Sequence, residues 1–291
     1  MTTASFPRTI RRLPGVKRPA GRRRRDGVLL GAGCVVGLFV LLAALGPLLA
    51  PHDPNAVDPL NVNSASSSAH LLGTDDTGRD ILSRVIVGAR ASLAAPAVIV
   101  AVSTTLGTLL ALAAAWFGGW LDRFVTGVLD VVFGFPGLIM AVLVAAVFGA
   151  GLVAPIVALS IAYLPLFTRV VRAAAVKERN LPYISALLLL GASTSRIWLR
   201  HLLPNLLPLV LVQATIGFGY ALIDVAAISF LGLGSRPPDP EWGLMVANGA
   251  PSILAGHPQP ALFAGLAILV VVVAFNLLGT GLSRRLLGDR T

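Results

Sequence analysis

One cysteine and two lysines in 291 residues set the first limits. Cys34 lies in an apolar run, so neither an intrachain disulfide nor a cysteine metal cluster is expected. Neither Lys17 nor Lys177 ends a G-x-x-x-x-G-K-[ST] segment, so no phosphate loop is expected; if the chain moves a solute uphill, its energy comes from a partner or an ion gradient. His52, His70, His201 and His257 are scattered, with no H-E-x-x-H, and no G-x-S-x-G elbow occurs. No catalytic residue and no metal site are expected. Charge is also scarce. Only 12% of residues are Asp, Glu, Lys or Arg, against about 25% in a soluble domain. With 56% hydrophobic residues, one aqueous core cannot hide the apolar surface, and a multi-pass membrane protein follows.

The apolar runs are continuous rather than alternating, which disfavours a β-barrel and predicts an all-α membrane protein. Six spans of about 20 residues are expected: Val28–Leu49, Ala91–Trp116, Phe124–Phe148, Val153–Val171, Leu206–Leu231 and Ala261–Leu282. The first apolar run exceeds the 7–15 residues of a signal-peptide core and reads as an uncleaved helix. The basic residues fix the orientation. Nine precede Val28, and with that end inside only Arg79, Arg84, Arg90 and Arg236 of the 23 fall outside. Both termini are therefore expected in the cytoplasm. This placement accounts for the net charge of +10 through membrane lipid, with no nucleic-acid partner.

The chain divides into a basic tail (1–27), a first transmembrane helix (28–50), an extracytoplasmic segment (51–90) and a five-helix core (91–291). In the extracytoplasmic segment, Ile81, Leu82, Val85, Ile86 and Ala89 make one apolar face. They predict an interfacial amphipathic helix, with Arg79, Asp80 and Arg84 off that face. In the loop from Gly232 to Pro260, Pro237, Pro238 and Pro240 argue against regular helix. Asp239, Glu241 and Trp242 are expected there at the outer surface, either as docking residues for a partner protein or as solvated loop. Asp130 and Asp224 are carboxylates inside spans, so they are candidates for a translocation path or for anchoring helices. Asp122 and Arg123 need no special role. Pro136, Pro155, Pro165 and Pro208 are candidate kinks.

Between the fourth and fifth spans lies a polar, arginine-bearing loop at about 172–205. Asn180 or Leu181 can start a short helix with Pro182 in its first turn, and Gly191 can end it. Ser193 can cap a second helix, which Pro204 stops. Arg196 and Arg200 are one turn apart, while Ile197 and Leu203 lie on or near another face.

This loop resembles the EAA loop of bacterial ATP-binding-cassette importer permeases. Ala186, Gly191, Ile197, Leu203, Pro204 and Asn205 fall on the pattern E-A-A, three residues, Gly, then I-x-x-x-x-L-P-N. Ser185 and Leu187 depart from it, so the carboxylate contact usually made to the ATPase cannot form. Three further segments are similar to the dipeptide, oligopeptide and nickel permeases in their C-type subunit. They are Leu71–Leu93 with G-T-D-x-x-G-R-D, Gly118–Leu138 with G-G-W-x-D and F-P, and Ile228–Val246 with F-L-G-L-G.

The resemblance implies a type I importer permease fold in the bacterial cytoplasmic membrane. It implies a second, B-type permease, two ATPase domains that bind ATP and Mg, and an extracytoplasmic substrate-binding protein. It also implies alternating access for a small peptide or related solute, such as nickel, glutathione or a haem-like ligand. Ser185, Ala186, Gly191, Ala192, Ser193, Arg196, Ile197, Arg200, Leu203 and Pro204 would then form the ATPase-coupling loop, with no cofactor on this chain. An ion-coupled transporter or channel using Asp130 or Asp224 is the competing class.

Overall fold

The computed structural model describes residues 21–149 and 151–287, with side chains from Gly27 onward. Most of the basic tail therefore lies outside the described residues. The described residues form helices joined by turns, with one isolated antiparallel bridge between Thr74 and Asp80. The helices are α1 (Gly21–Leu49), α2 (Ile81–Phe117), α3 (Gly119–Phe133), α4 (Gly137–Phe148) and α5 (Val153–Arg179). They continue as α6 (Pro182–Leu189), α7 (Thr194–Ile197), α8 (Leu203–Phe230), α9 (Trp242–Leu254) and α10 (Gln259–Leu286).

Five of these, counting the stretch from α7 through α8 as one, are long and apolar enough to cross a membrane. The third expected span is not one helix. Pro136 has no N–H to donate, and at Gly134–Pro136 the chain bends by 78° between α3 and α4. With 15 and 12 residues at about 1.5 Å each, neither half alone covers the ~30 Å hydrocarbon core.

The core packs α2, α5, α8 and α10 around Phe167, Leu159, Leu222, Ile228 and Val271. Small residues let the helices approach closely, as expected where lipid supplies no hydrophobic drive between them. A Cβ on Gly217 would lie 2.7 Å from the Phe167 ring. Ser103 of α2 donates to the Ser160 carbonyl of α5 (2.8 Å).

No separate interfacial helix forms before α2. The residues expected there are the first turns of α2, because Asp80 caps that helix directly: its carboxylate accepts from the Ser83 N–H (2.8 Å). The charged residues expected to face outward are buried instead. Asp80 is 3% exposed and Arg84 is 2% exposed. The loop expected after α8 also differs. The prolines up to Pro240 are non-helical, but α9 starts immediately after them at Trp242.

Candidate functional site

Two ends of the bundle carry polar residues: the turns around α6 and α7, and the cap built from Pro51–Asp80 and the α8–α9 connection. At the first end, Leu181 is the N-cap of α6 and Pro182 its first residue, as the sequence predicts. Gly191 takes φ +76° and closes the helix. Ala192 N–H reaches the Leu187 carbonyl and Gly191 N–H the Leu188 carbonyl, both at 3.0 Å. This is a Schellman closure, which needs a left-handed residue, and glycine pays least for it.

The second half of the loop departs from expectation. Ser193 occupies the N-cap position of α7, but its side chain makes no capping bond. Pro204 does not stop the helix. A π turn at Trp198–Leu202 carries the chain into α8, with Pro204 at the start of that helix, where a missing N–H is tolerated. The wider turn also takes Arg196 and Arg200 out of regular α-helical spacing.

Ile197 is buried with Ile184, Leu202 and Leu206, so it holds the loop down rather than offering a contact. Trp198 meets Trp116 and Phe117 at the end of α2, edge-on at 6.3 and 6.1 Å. Glu178 at the end of α5 accepts from the Tyr183 hydroxyl (2.6 Å) and the Asn205 amide (2.7 Å). Burial and the Glu178 acceptor push the Tyr183 phenol up to about 12. This network ties α5, α6 and α8 together, and Asn205 is the last residue of the L-P-N match. Its value lies in long-range pairing, which spacing alone does not reveal.

What remains exposed on the loop is mixed. Ser185, Ala186, Gly191, Ser193, Arg196, Arg200 and Pro204 face outward, while Ala192 and Leu203 are half-buried. Four leucines not singled out from the sequence are exposed as well: Leu188 (48%), Leu189 (90%), Leu190 (83%) and Leu199 (66%).

The intramembrane carboxylates are engaged. Asp130 on α3 pairs with Arg169 on α5 (2.5 Å), whose guanidinium also lies over the Phe133 ring. Asp224 on α8 accepts from the Tyr163 hydroxyl on α5 (2.9 Å). Asp122, to which the sequence assigned no role, holds Arg172 through both carboxylate oxygens. These are bonds between helices.

The other end is a knot of satisfied charge. Asp75 accepts from the Thr77 N–H, the Thr77 hydroxyl and the Arg79 N–H at 2.7–2.9 Å. Gly78 runs so close to the Asp58 carbonyl that a Cβ would fall 1.9 Å from it, with φ +81°. The G-T-D-x-x-G-R-D signature is therefore scaffold. Arg84 donates to the Pro54 carbonyl (2.8 Å), approaches those of Pro238 and Asp239 (3.4 Å each) and lies 3.7 Å from Asp75.

Glu241 and Trp242 are fully buried and are not on the outer surface; only Asp239 of that trio is exposed. Glu241 caps α9 through the Gly243 and Leu244 N–H groups, 2.9 Å each. Burial pushes its carboxyl up, against those two donors. Trp242 donates from its ring to the Val85 carbonyl (3.0 Å), and its own N–H reaches Ser92. Both are pinned because α9 folds back onto α2. The histidines are not all scattered either: His52 and His70 meet at Asp80, with ring centroids 4.9 Å apart.

A helical bundle with its spans broken and anchored by ion pairs, one polar end closed and the other bare, is a multi-pass membrane permease. The chain belongs to the family described as binding-protein-dependent transport system inner membrane component, which residues 103–288 match. Residues 22–66 match the N-terminal TM domain of oligopeptide transport permease C. The chain is thus an importer permease subunit of the bacterial inner membrane. It is 41% identical to the glutathione transport system permease protein GsiD of Pectobacterium atrosepticum, over 89% of this chain and 86% of that one. It is 37% identical to the dipeptide transport system permease protein DppC of Alkalihalophilus pseudofirmus, over 85% and 81%.

Proposed function

We propose that this chain is the C-type permease of an ATP-driven importer for small peptides or glutathione-like solutes. It pairs with a B-type permease, two ATPase domains and an extracytoplasmic binding protein. The α6–α7 loop lies in the cytoplasm and docks on an ATPase domain, and the cap lies outside. ATP and Mg are held by the ATPases, since this chain has no phosphate loop and itself hydrolyses nothing. The observation that carries the reading is that one loop, closed within itself, exposes Leu189, Leu190 and Leu199 together with Arg196 and Arg200. It offers apolar contact where Ser185 lacks the family's carboxylate. The names of the relatives support the substrate class. On the outer side, Asp239 and Arg236 are among the exposed residues available to a binding protein.

The ion-coupled alternative is not favoured. Arg169 engages Asp130 and Tyr163 engages Asp224, which suits anchoring between helices.

The test is co-purification of the ATPases with loop variants of the assembled importer. Leu189→Asp with Leu190→Asp should strip ATPase binding, since burying each leucine contributes about 1.5–3 kcal/mol. Arg196→Glu with Arg200→Glu should weaken it, by several kcal/mol if the pairs are desolvated. Gly191→Val should misalign the loop. Binding-protein affinity should stay unchanged. Normal ATPase retention and normal coupled hydrolysis in all three variants would overturn the assignment.

A further inference from the structure

We propose that His52, His70 and Asp80 form a binding site for a divalent transition-metal ion of the zinc class, clipping the chain after α1 to the start of α2. The three side chains each offer one ligand atom, and these atoms lie within 4.8 Å of one another. His70 Nδ1 is 3.0 Å from Asp80 Oδ1, and His52 Nδ1 is 3.8 Å from Asp80 Oδ2. A tetrahedral ion with ligands at about 2.0–2.1 Å holds them about 3.3 Å apart. The two measured separations run to different oxygens of Asp80, and one atom from each residue falls within 4.8 Å of the others, so binding draws the three side chains together by a small rotation. The 3.8 Å separation is too long for a hydrogen bond.

The donor set is two imidazoles and one carboxylate, which suits zinc and its neighbours rather than calcium or magnesium. Three protein ligands leave a fourth position, and the exposures permit a water there: His52 is 42% exposed, His70 17% and Asp80 2%.

The ligands are held from behind, as metal ligands are when a second layer of bonds orients them. Ser83 donates its N–H and its hydroxyl to Asp80 Oδ2 (2.8 and 2.6 Å). The same hydroxyl accepts the backbone N–H of His52 (3.0 Å), so one serine holds the Asp80 carboxylate and the main chain of His52. His70 is fixed by its own backbone, which donates to Ser67 (3.0 Å). Binding requires each imidazole to present a bare Nδ1 and carry its proton on Nε2.

The test uses the full chain, purified in detergent without a polyhistidine tag and stripped with a chelator. Titration with Co(II) should give visible d–d bands that saturate at one ion per chain and vanish on adding Zn(II). Zn(II) should raise the unfolding temperature. His52→Ala and His70→Ala should each weaken binding by about 100-fold or more, since even residues behind the ligands contribute 10–100-fold. His257→Ala should change nothing. If His70→Ala does not fold, the half-exposed His52→Ala decides: lost bands with an unchanged metal-free unfolding temperature support the site. No saturable band, or bands that survive His52→Ala, would mean that the cluster is a hydrogen-bond clip only.

Discussion

At the cap, three charged residues are turned inward; on the α6–α7 loop, two are turned outward. Arg84, Asp80 and Glu241 are buried with their partners in place. Arg196 and Arg200 are exposed and form no ion pair among the described residues. The apolar residues divide within each end instead. Trp242 is sealed inside the cap while Leu60 stands 93% exposed there, and on the loop Ile197 is buried while Leu189 and Leu190 stand in the open. The contrast between the two ends is one of charge: Arg84 completes a scaffold, and Arg196 and Arg200 face outward.

Deleting one charge at each end would break this comparison most directly. Arg84→Ala leaves three carbonyls and Asp75 without their donor in a buried site, so it should cost about 3–5 kcal/mol of stability. Arg196→Ala should stay within about 0.5 kcal/mol. Equilibrium unfolding in detergent measures both, and equal effects would erase the distinction.

A smaller loss tests whether the loop is truly stapled from within. Tyr183→Phe removes a hydrogen bond to the Glu178 carboxylate and should cost about 1.5 kcal/mol. Amide exchange across 178–205 should quicken in that variant while the cap is unchanged. Unaltered protection of the loop would show that the network does not hold it.

The smallest effect concerns pH. Burial raises the Glu241 carboxyl in the folded state above its ordinary 4.5. A raised carboxyl favours the folded state at low pH and loses that contribution as pH climbs from the ordinary value through the folded one. Glu241→Gln keeps an acceptor at the cap and cannot ionise. Its unfolding temperature should therefore fall less than that of the parent as pH rises from 4.5. Parallel curves would place the Glu241 proton elsewhere in the balance.

The spans, the Gly191 closure and the start of α6 were readable because each depends on neighbours within a turn or two. The expected third span is bent rather than straight: at Pro136, flagged as a candidate kink, the helix breaks into two halves 78° apart. Arg84 and Trp242 were misplaced because their partners lie about 150 residues away in the sequence. Amphipathic periodicity sorts residues by polarity. It cannot see that the carbonyls of Pro54 and Pro238 make the inside of the cap a polar place. His52 and His70 were read as scattered for the same reason: 18 residues of irregular chain carry no periodic signal of proximity.

The two ends are not independent bodies, because α2 belongs to both. It is one helix of 37 residues, about 55 Å along its axis at 1.5 Å per residue. Trp198 of the loop leans on Trp116 and Phe117 at its far end, while Arg84 and Ser92 grip the cap at its near end. Pro96 lies inside this helix, between the two sets of contacts, where its ring removes one backbone hydrogen bond. The loop and the cap therefore share one strut, and that strut carries its own weak point partway along its length.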